Sequence, residues 1–232
     1  LNRKFHKILA VIPCYNEAGA IGNLLEEFSA LDFRIDTLVI DDGSQDDTYS
    51  IANRFSKVIR LEKNQGVVAG IALGIRYALE NSYDYSIQID GDGQHIPTKI
   101  ASFLHVLETD SPNILTGSRY YGQRLPRRCE ARRIAGWIYS CQLRLLFGKW
   151  LSDPLSGMRM MDKAAMEYYI HHMNEFSLDA EIVPRALRAG LSIWEVPVDM
   201  RPRENGDSYV SGLKGLKFFI RLSRITLAIR FS

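Results

Sequence analysis

The first ninety residues alternate short apolar runs with stretches of helical spacing. Residues 8–12 read as a buried strand ended by Pro13. Residues 17–31 read as a helix with Ile21, Leu24, Leu25 and Phe28 on one face. The rhythm repeats through a strand at 37–40, a helix at 46–55, a strand at 58–61, a helix at 66–79 and a strand at 85–89. Ala69, Gly70, Ala72 and Gly74 leave the 66–79 helix slim enough for close packing. Such βαβα order predicts an α/β fold, a Rossmann-like and mostly parallel sheet with helices on both faces. The second half is less regular. Strands are expected at 113–116, 157–161 and 192–198, and helices at 126–147, 163–172, 179–189 and 211–231, with Gly190 ending the 179–189 helix. No repeat, low-complexity segment or linker interrupts the pattern, so residues 1–232 read as one catalytic-sized domain with a basic amphipathic helix at its end.

Sheets of this kind bind ligands beyond the carboxyl ends of their strands. Three polar clusters fall there: Tyr15-Asn16-Glu17, Asp41-Asp42-Gly43-Ser44 and Asp90-Gly91-Asp92. Asp90, Asp92 and Gln94 alternate. On an extended segment this would place their oxygens on one side, where they could converge on a hard cation such as Mg²⁺ or Mn²⁺. Gly91 and Gly93 would let a bulky ligand approach the backbone. The Asp41–Ser44 carboxylates suit a base N–H or ribose hydroxyls, while Ser44 or Asp46 also suits a helix N-cap. His95, beside the acidic turn, could serve as a ligand or contact a donor but reads rather as a solvent-facing loop residue, and Cys14 as a small buried filler.

Charge adds two features. Overall the 232 residues carry a net +2, too small to mark a nucleic-acid binder. Residues 119–133, however, hold Arg119, Arg124, Arg127, Arg128, Arg132 and Arg133 against the single acid Glu130. Guanidinium forks suit phosphate oxygens, and so many like charges call for an anion nearby. The last helix carries Lys214, Lys217, Arg221 and Arg224 at steps of three and four, with no acid after Asp207. Such a helix suits an anionic membrane surface, or else a packed helix with a basic outer face. Three well-separated cysteines read as reduced thiols of a cytosolic protein, no signal peptide is visible, and no run is apolar enough to cross a bilayer.

Six motifs occur in register: Ile12-Pro13-Cys14-Tyr15-Asn16-Glu17, Asp41-Asp42-Gly43-Ser44, Asn64-Gln65-Gly66, Asp90-Gly91-Asp92-Gly93-Gln94, Gly117-Ser118-Arg119 and Asp153-Pro154-Leu155-Ser156-Gly157-Met158-Arg159. Together they resemble glycosyltransferase family 2 with the GT-A fold, and within it the dolichyl- or polyprenyl-phosphate sugar synthases. Gly91 departs from the Asp-Ala-Asp often seen there, and Tyr209 stands after Ser208 where Lys is frequent. The resemblance implies an inverting transfer of a hexose from a UDP- or GDP-sugar to polyprenyl phosphate at the cytoplasmic face of a membrane. It implies that Pro13, Tyr15, Glu17, Asp42 and Asp90 hold the nucleotide sugar and that Asp92 and Gln94 bind the cation. Arg119, Arg132, Arg133, Arg159 and Arg203 would face phosphates, Ser156 and Ser208 would line the acceptor side, and Asp90, Asp92, Arg119 and Arg159 would serve catalysis. A soluble family-2 enzyme acting on a saccharide hydroxyl is the alternative. It would need a base, for which Asp179 or Glu181 would serve. A nucleotidyltransferase or sugar-nucleotide regulator fits less well, since no Gly-rich, Lys-containing phosphate loop follows the first strand.

Overall fold

The computed structural model describes residues 6–122, 131–201 and 212–231. Seven strands form one sheet: β1 (Ile8–Cys14), β2 (Asp36–Asp41), β3 (Lys57–Arg60), β4 (Tyr85–Gln88), β5 (Ile114–Ser118), β6 (Arg159–Asp162) and β7 (Ile193–Pro197), in the order β3-β2-β1-β4-β6-β5-β7. All neighbours run parallel except β6, which is antiparallel to both β4 and β5. The helices are α1 (Ile21–Ser29), α2 (Thr48–Ala52), α3 (Val67–Glu80), α4 (Ile100–Thr109), α5 (Ala131–Phe147), α6 (Lys163–His172), α7 (Ile182–Arg188) and α8 (Gly212–Phe231).

Strand alternation sorts the core into two layers. Leu9 and Val11 of β1 join Leu38, Ile40, Ile71 and Ile75 on one face, under Tyr139, Leu143, Tyr169 and Leu222 of α5, α6 and α8. Ala10 and Ile12 point the other way, with Val39 and Ile87, and meet Leu24, Leu25 and Phe28 of α1 and Phe103 of α4. The four apolar residues expected on the first helix are all buried. At roughly 1.5–3 kcal/mol for each large side chain fully buried, that face suffices to dock α1.

Several boundaries differ from the sequence reading. β1 runs through Pro13 to Cys14, in register with Ile40 and Asp41. Pairing with β4 stops at Val11, so the missing proline N–H falls where β1 has a partner on one side only. Helix α1 begins at Ile21 rather than at 17, because the loop before it is tied to its neighbour. The amides of Asn16, Glu17 and Ala18 donate to Ser44 Oγ, Thr48 Oγ1 and Asp46 Oδ2. The expected helix at 179–189 opens as a 3-10 turn (Asp179–Glu181) before α7, and Gly190 ends it at φ +77°. Helix α4 was not foreseen, although Ile100, Phe103 and Leu107 have the right spacing and Pro97 stands at the start of the 3-10 turn before it.

Candidate active site

The site lies at the carboxyl ends of β2, β1 and β4, neighbours in the sheet, so the three polar clusters meet there. Pro13 is half-buried, Tyr15 is 45% exposed and Glu17 half-buried at the end of β1. At the end of β2, Asp41 is wholly buried and paired with Arg60 Nε at 3.1 Å, while its other oxygen accepts the Ser44 amide. Asp42 is buried too. Its two carboxylate oxygens accept the amides of Gln65 (2.7 Å) and Gly66 (2.8 Å), so it shapes the turn into α3 from beneath. Neither Ser44 nor Asp46 is the N-cap of α2, which is Asp47; Asp46, just before it, accepts the Thr48 amide and hydroxyl. Desolvation pushes its carboxyl up, but the hydrogen bonds from Thr48 and Ala18 win, and the group lies below the usual range.

Residues 90–94 form a turn, not the extended run that the alternation implied. The Asp92 carboxylate accepts the Gln94 amide at 3.1 Å, and Gly93 takes φ +75°, a conformation that favours glycine. Packing also calls for glycine at Gly91: a Cβ there would sit 2.3 Å from Cys14 Sγ. Gly157 closes on the turn from β6, where a Cβ would sit 2.9 Å from Asp90 Oδ2. His95 is not solvent-facing. It is 2% exposed, and its Nδ1 accepts the Asp90 amide at 2.9 Å.

The Cys14 thiol reports the field of this end of the sheet. Burial pushes it well up, and Glu17, Asp41, Asp90 and Asp92 push it further. Two of these, Asp90 and Asp92, are only half-buried, so the site is acidic where an anionic donor would enter. Among the described residues no three His, Cys, Asp or Glu side chains form a closed metal cage. Two carboxylates on an open turn instead fit a hard divalent cation that keeps waters and shares a substrate's phosphates, as Mg²⁺ commonly does.

The basic side is built on β5 and the loop before β6. Arg119 forks onto Asp153, Nε to Oδ2 at 2.6 Å and Nη2 to Oδ1 at 2.8 Å. Burial would lower its pKa, but Asp153, with Tyr120 and Asp90 beyond it, raises it. Asp153 is itself fixed by Glu195 of β7, which accepts the Ser152 and Asp153 amides. Arg119 and Arg133 both lie over the Tyr120 ring, at 5.4 and 4.6 Å from its centroid. Asp153 and Glu195 had no assigned role from sequence. The signal available was the excess of arginines, which demands a buried acid.

Other expected residues are engaged in contacts of their own. Arg159 is 1% exposed and pairs with Asp179 through Nη1 at 2.8 Å, inside the helical layer. Ser156 is buried, its hydroxyl accepting the Met158 amide. Glu181 is 1% exposed and accepts from Ser177, Leu178 and Arg185, so it neither lies on a helix surface nor is placed to take an acceptor's proton. The side chain of Arg132, and Arg203 and Ser208, lie outside the described residues.

A mostly parallel seven-stranded sheet flanked by helices, with an Asp-Gly-Asp turn at the carboxyl end of β4, defines a GT-A glycosyltransferase. The chain belongs to Glycosyl transferase family 2, which it matches over residues 9–170. The undecaprenyl-phosphate mannosyltransferase of Micrococcus luteus is 27% identical over 97% of this chain and 96% of its own. The UDP-N-acetylglucosamine–dolichyl-phosphate N-acetylglucosaminyltransferase of Methanococcus voltae is 27% identical over 93% of this chain and 94% of its own. In fold, the chain is similar to glucosyl-3-phosphoglycerate synthase of Mycobacterium tuberculosis, solved with Mn²⁺, UDP and phosphoglyceric acid. The TM-score is 0.65 at 21% identity, covering 97% of this chain and 78% of that one.

Proposed function

We propose that this glycosyltransferase moves a hexose from a UDP- or GDP-sugar to a polyprenyl phosphate, with inversion, while bound peripherally at the cytoplasmic face of a membrane. We read residues 1–232 as one catalytic unit for that reaction. The observation that carries the proposal is the outer surface of α5 and α8. The two helices pack side by side, Tyr139 against Thr226 and Gln142 against Ser223, with their inner faces in one core layer. Ile134, Ile138 and Leu145 of α5 are exposed, up to 85%, and steps of four and seven put them on one stripe. On α8, Ile220, Leu227 and Phe231 are exposed beside Lys217, Arg221 and Arg224. Apolar stripes set among cations fit an anionic lipid surface, where each basic residue is worth ~1 kcal/mol. Arg133, near the start of α5, joins that surface to the Arg119–Tyr120 cluster. No described helix is long and apolar enough to cross a membrane.

In this reading Pro13, Tyr15, Glu17, Asp42 and Asp90 form the nucleotide-sugar pocket, with Asp42 acting through the turn it holds. Asp92 and Gln94, beside Asp90, would bind Mg²⁺ or Mn²⁺. The ion, when bound, offsets charge on the departing diphosphate. Arg119, locked by Asp153, supplies a fixed positive wall, and Arg132, Arg133, Arg203 and Ser208 receive the acceptor phosphate. A phosphate oxygen is already ionised at neutral pH, so its attack on the anomeric carbon, with loss of the nucleoside diphosphate, needs no base. Arg159 contributes by holding Asp179. One observation favours the hydroxyl-acceptor alternative: Asp179 Oδ1 is buried with no hydrogen-bond partner. The test is sedimentation with anionic liposomes. Binding at low salt, release at high salt and loss in an Ile138→Asp/Leu145→Asp variant are expected. Indifference of the wild-type chain to liposomes at low salt would leave the hydroxyl reading as the better one.

A further inference from the structure

His95 is the one buried imidazole of the site, and the reaction outlined above gives it nothing to do. Its Nδ1 accepts the backbone N–H of Asp90 at 2.9 Å. A neutral imidazole has one acceptor and one donor nitrogen, so the proton sits on Nε2. That nitrogen lies 3.8 Å from Asp90 Oδ2, with its N–H available to face the carboxylate. One ring therefore bonds the backbone and flanks the carboxylate of the same aspartate.

The ring is itself held. His95 bridges antiparallel to Met200, and the Arg201 amide donates to Gln94 O at 2.9 Å. Arg201 in turn forks onto Glu27 of α1 at 2.8 and 3.0 Å. The Gly157 backbone also approaches so closely that a Cβ would stand 2.9 Å from Asp90 Oδ2. The carboxylate, 42% exposed, thus lies near both the imidazole and the Gly157 backbone. Removing the imidazole would leave a part-buried backbone donor without its acceptor and take away the ring that flanks the carboxylate.

We propose that His95 is a positioning residue that fixes Asp90 in the orientation that engages the donor and its cation. This inference rests on the reading of the 90–94 turn as the donor site, and the experiment separates the two. Mn²⁺-dependent binding of UDP and of GDP is measured by calorimetry for the wild type, His95→Asn, His95→Leu, Asp90→Asn and the double variant His95→Leu/Asp90→Asn, with a melting curve for each. Asn keeps an oxygen close to where Nδ1 stands, so His95→Asn should stay within a few-fold of wild type. His95→Leu should weaken binding by roughly tenfold or more, within the range of coupling between neighbouring residues, because the Asp90 carboxylate loses the ring that flanks it. In the Asp90→Asn background the same change should cost far less, because its target is already altered. Equal losses from His95→Leu in both backgrounds, or unchanged affinity with only a lowered melting temperature, would overturn the proposal. If the wild type binds neither nucleotide, the donor reading falls and takes this inference with it.

Discussion

At the scale of single residues, the site is set by what lies behind the residues that touch ligand. Gly91 is the clearest case. A side chain there meets Cys14 Sγ at 2.3 Å, whereas Pro13 O and Cys14 Cβ stand at 3.3 and 3.5 Å. Gly91→Ala should therefore lose most transfer activity, and Cys14→Ala in the same chain should restore much of it. Failure of that rescue in a steady-state assay would show that the glycine serves the ligand after all. The thiol also carries a pH signature. Its folded pKa lies above the unfolded value, so its contribution to stability is complete below roughly pH 8.5 and declines as pH rises past that point. Urea midpoints of wild type and Cys14→Ala should accordingly diverge above pH 9, the wild type losing more. Asp92→Asn should nearly abolish transfer with the melting temperature intact; full activity of that variant in chelator would refute a cation at this turn.

At the scale of elements, what was legible in the sequence is what depends on local period. The first four strands and the three helices between them follow from alternation and helical spacing, and the acidic clusters at their ends were found because a parallel sheet collects them. What escaped depends on contacts distant in sequence. The early start expected for α1 failed because residues 16–18 bond to 44–48. His95 looked like a loop residue because its cover comes from Met200. The Arg119–Asp153–Glu195 chain spans three separate segments, so spacing alone could not pair them. Asp179 and Glu181, alike in sequence, separate in the structure. Glu181 ties the turn before α7, so Glu181→Ala should lower the melting temperature by several degrees, about 1–3 kcal/mol of lost hydrogen bonding to buried groups. Asp179→Asn keeps a partner for Arg159 and should retain substantial transfer to a phosphate acceptor. A fall in kcat of about a thousandfold, within the range for removal of a general base, would instead assign Asp179 that task.

At the scale of the whole molecule, fold and acceptor are separate questions. Relatives matched along nearly their full length are named for undecaprenyl and dolichyl phosphate, while a solved structure of similar fold is a phosphoglycerate glycosyltransferase. Both acceptor classes present a charged phosphate to an arginine-lined site, so the arginines by themselves do not choose between them. The apolar stripe of α5 and the basic face of α8 support the lipid acceptor we propose, because a small soluble acceptor gives no reason for an exposed Leu145 or Phe231. The most direct test is transfer itself. The purified chain is incubated with Mn²⁺, radiolabelled UDP- and GDP-hexoses and, in parallel, polyprenyl phosphate in anionic liposomes or 3-phosphoglycerate in solution, and the label is partitioned between organic and aqueous phases. Chelator-sensitive label in the organic phase, as a lipid-linked hexose, is the predicted result. Label found only in an aqueous sugar-phosphoglycerate, with the lipid untouched, would contradict the account.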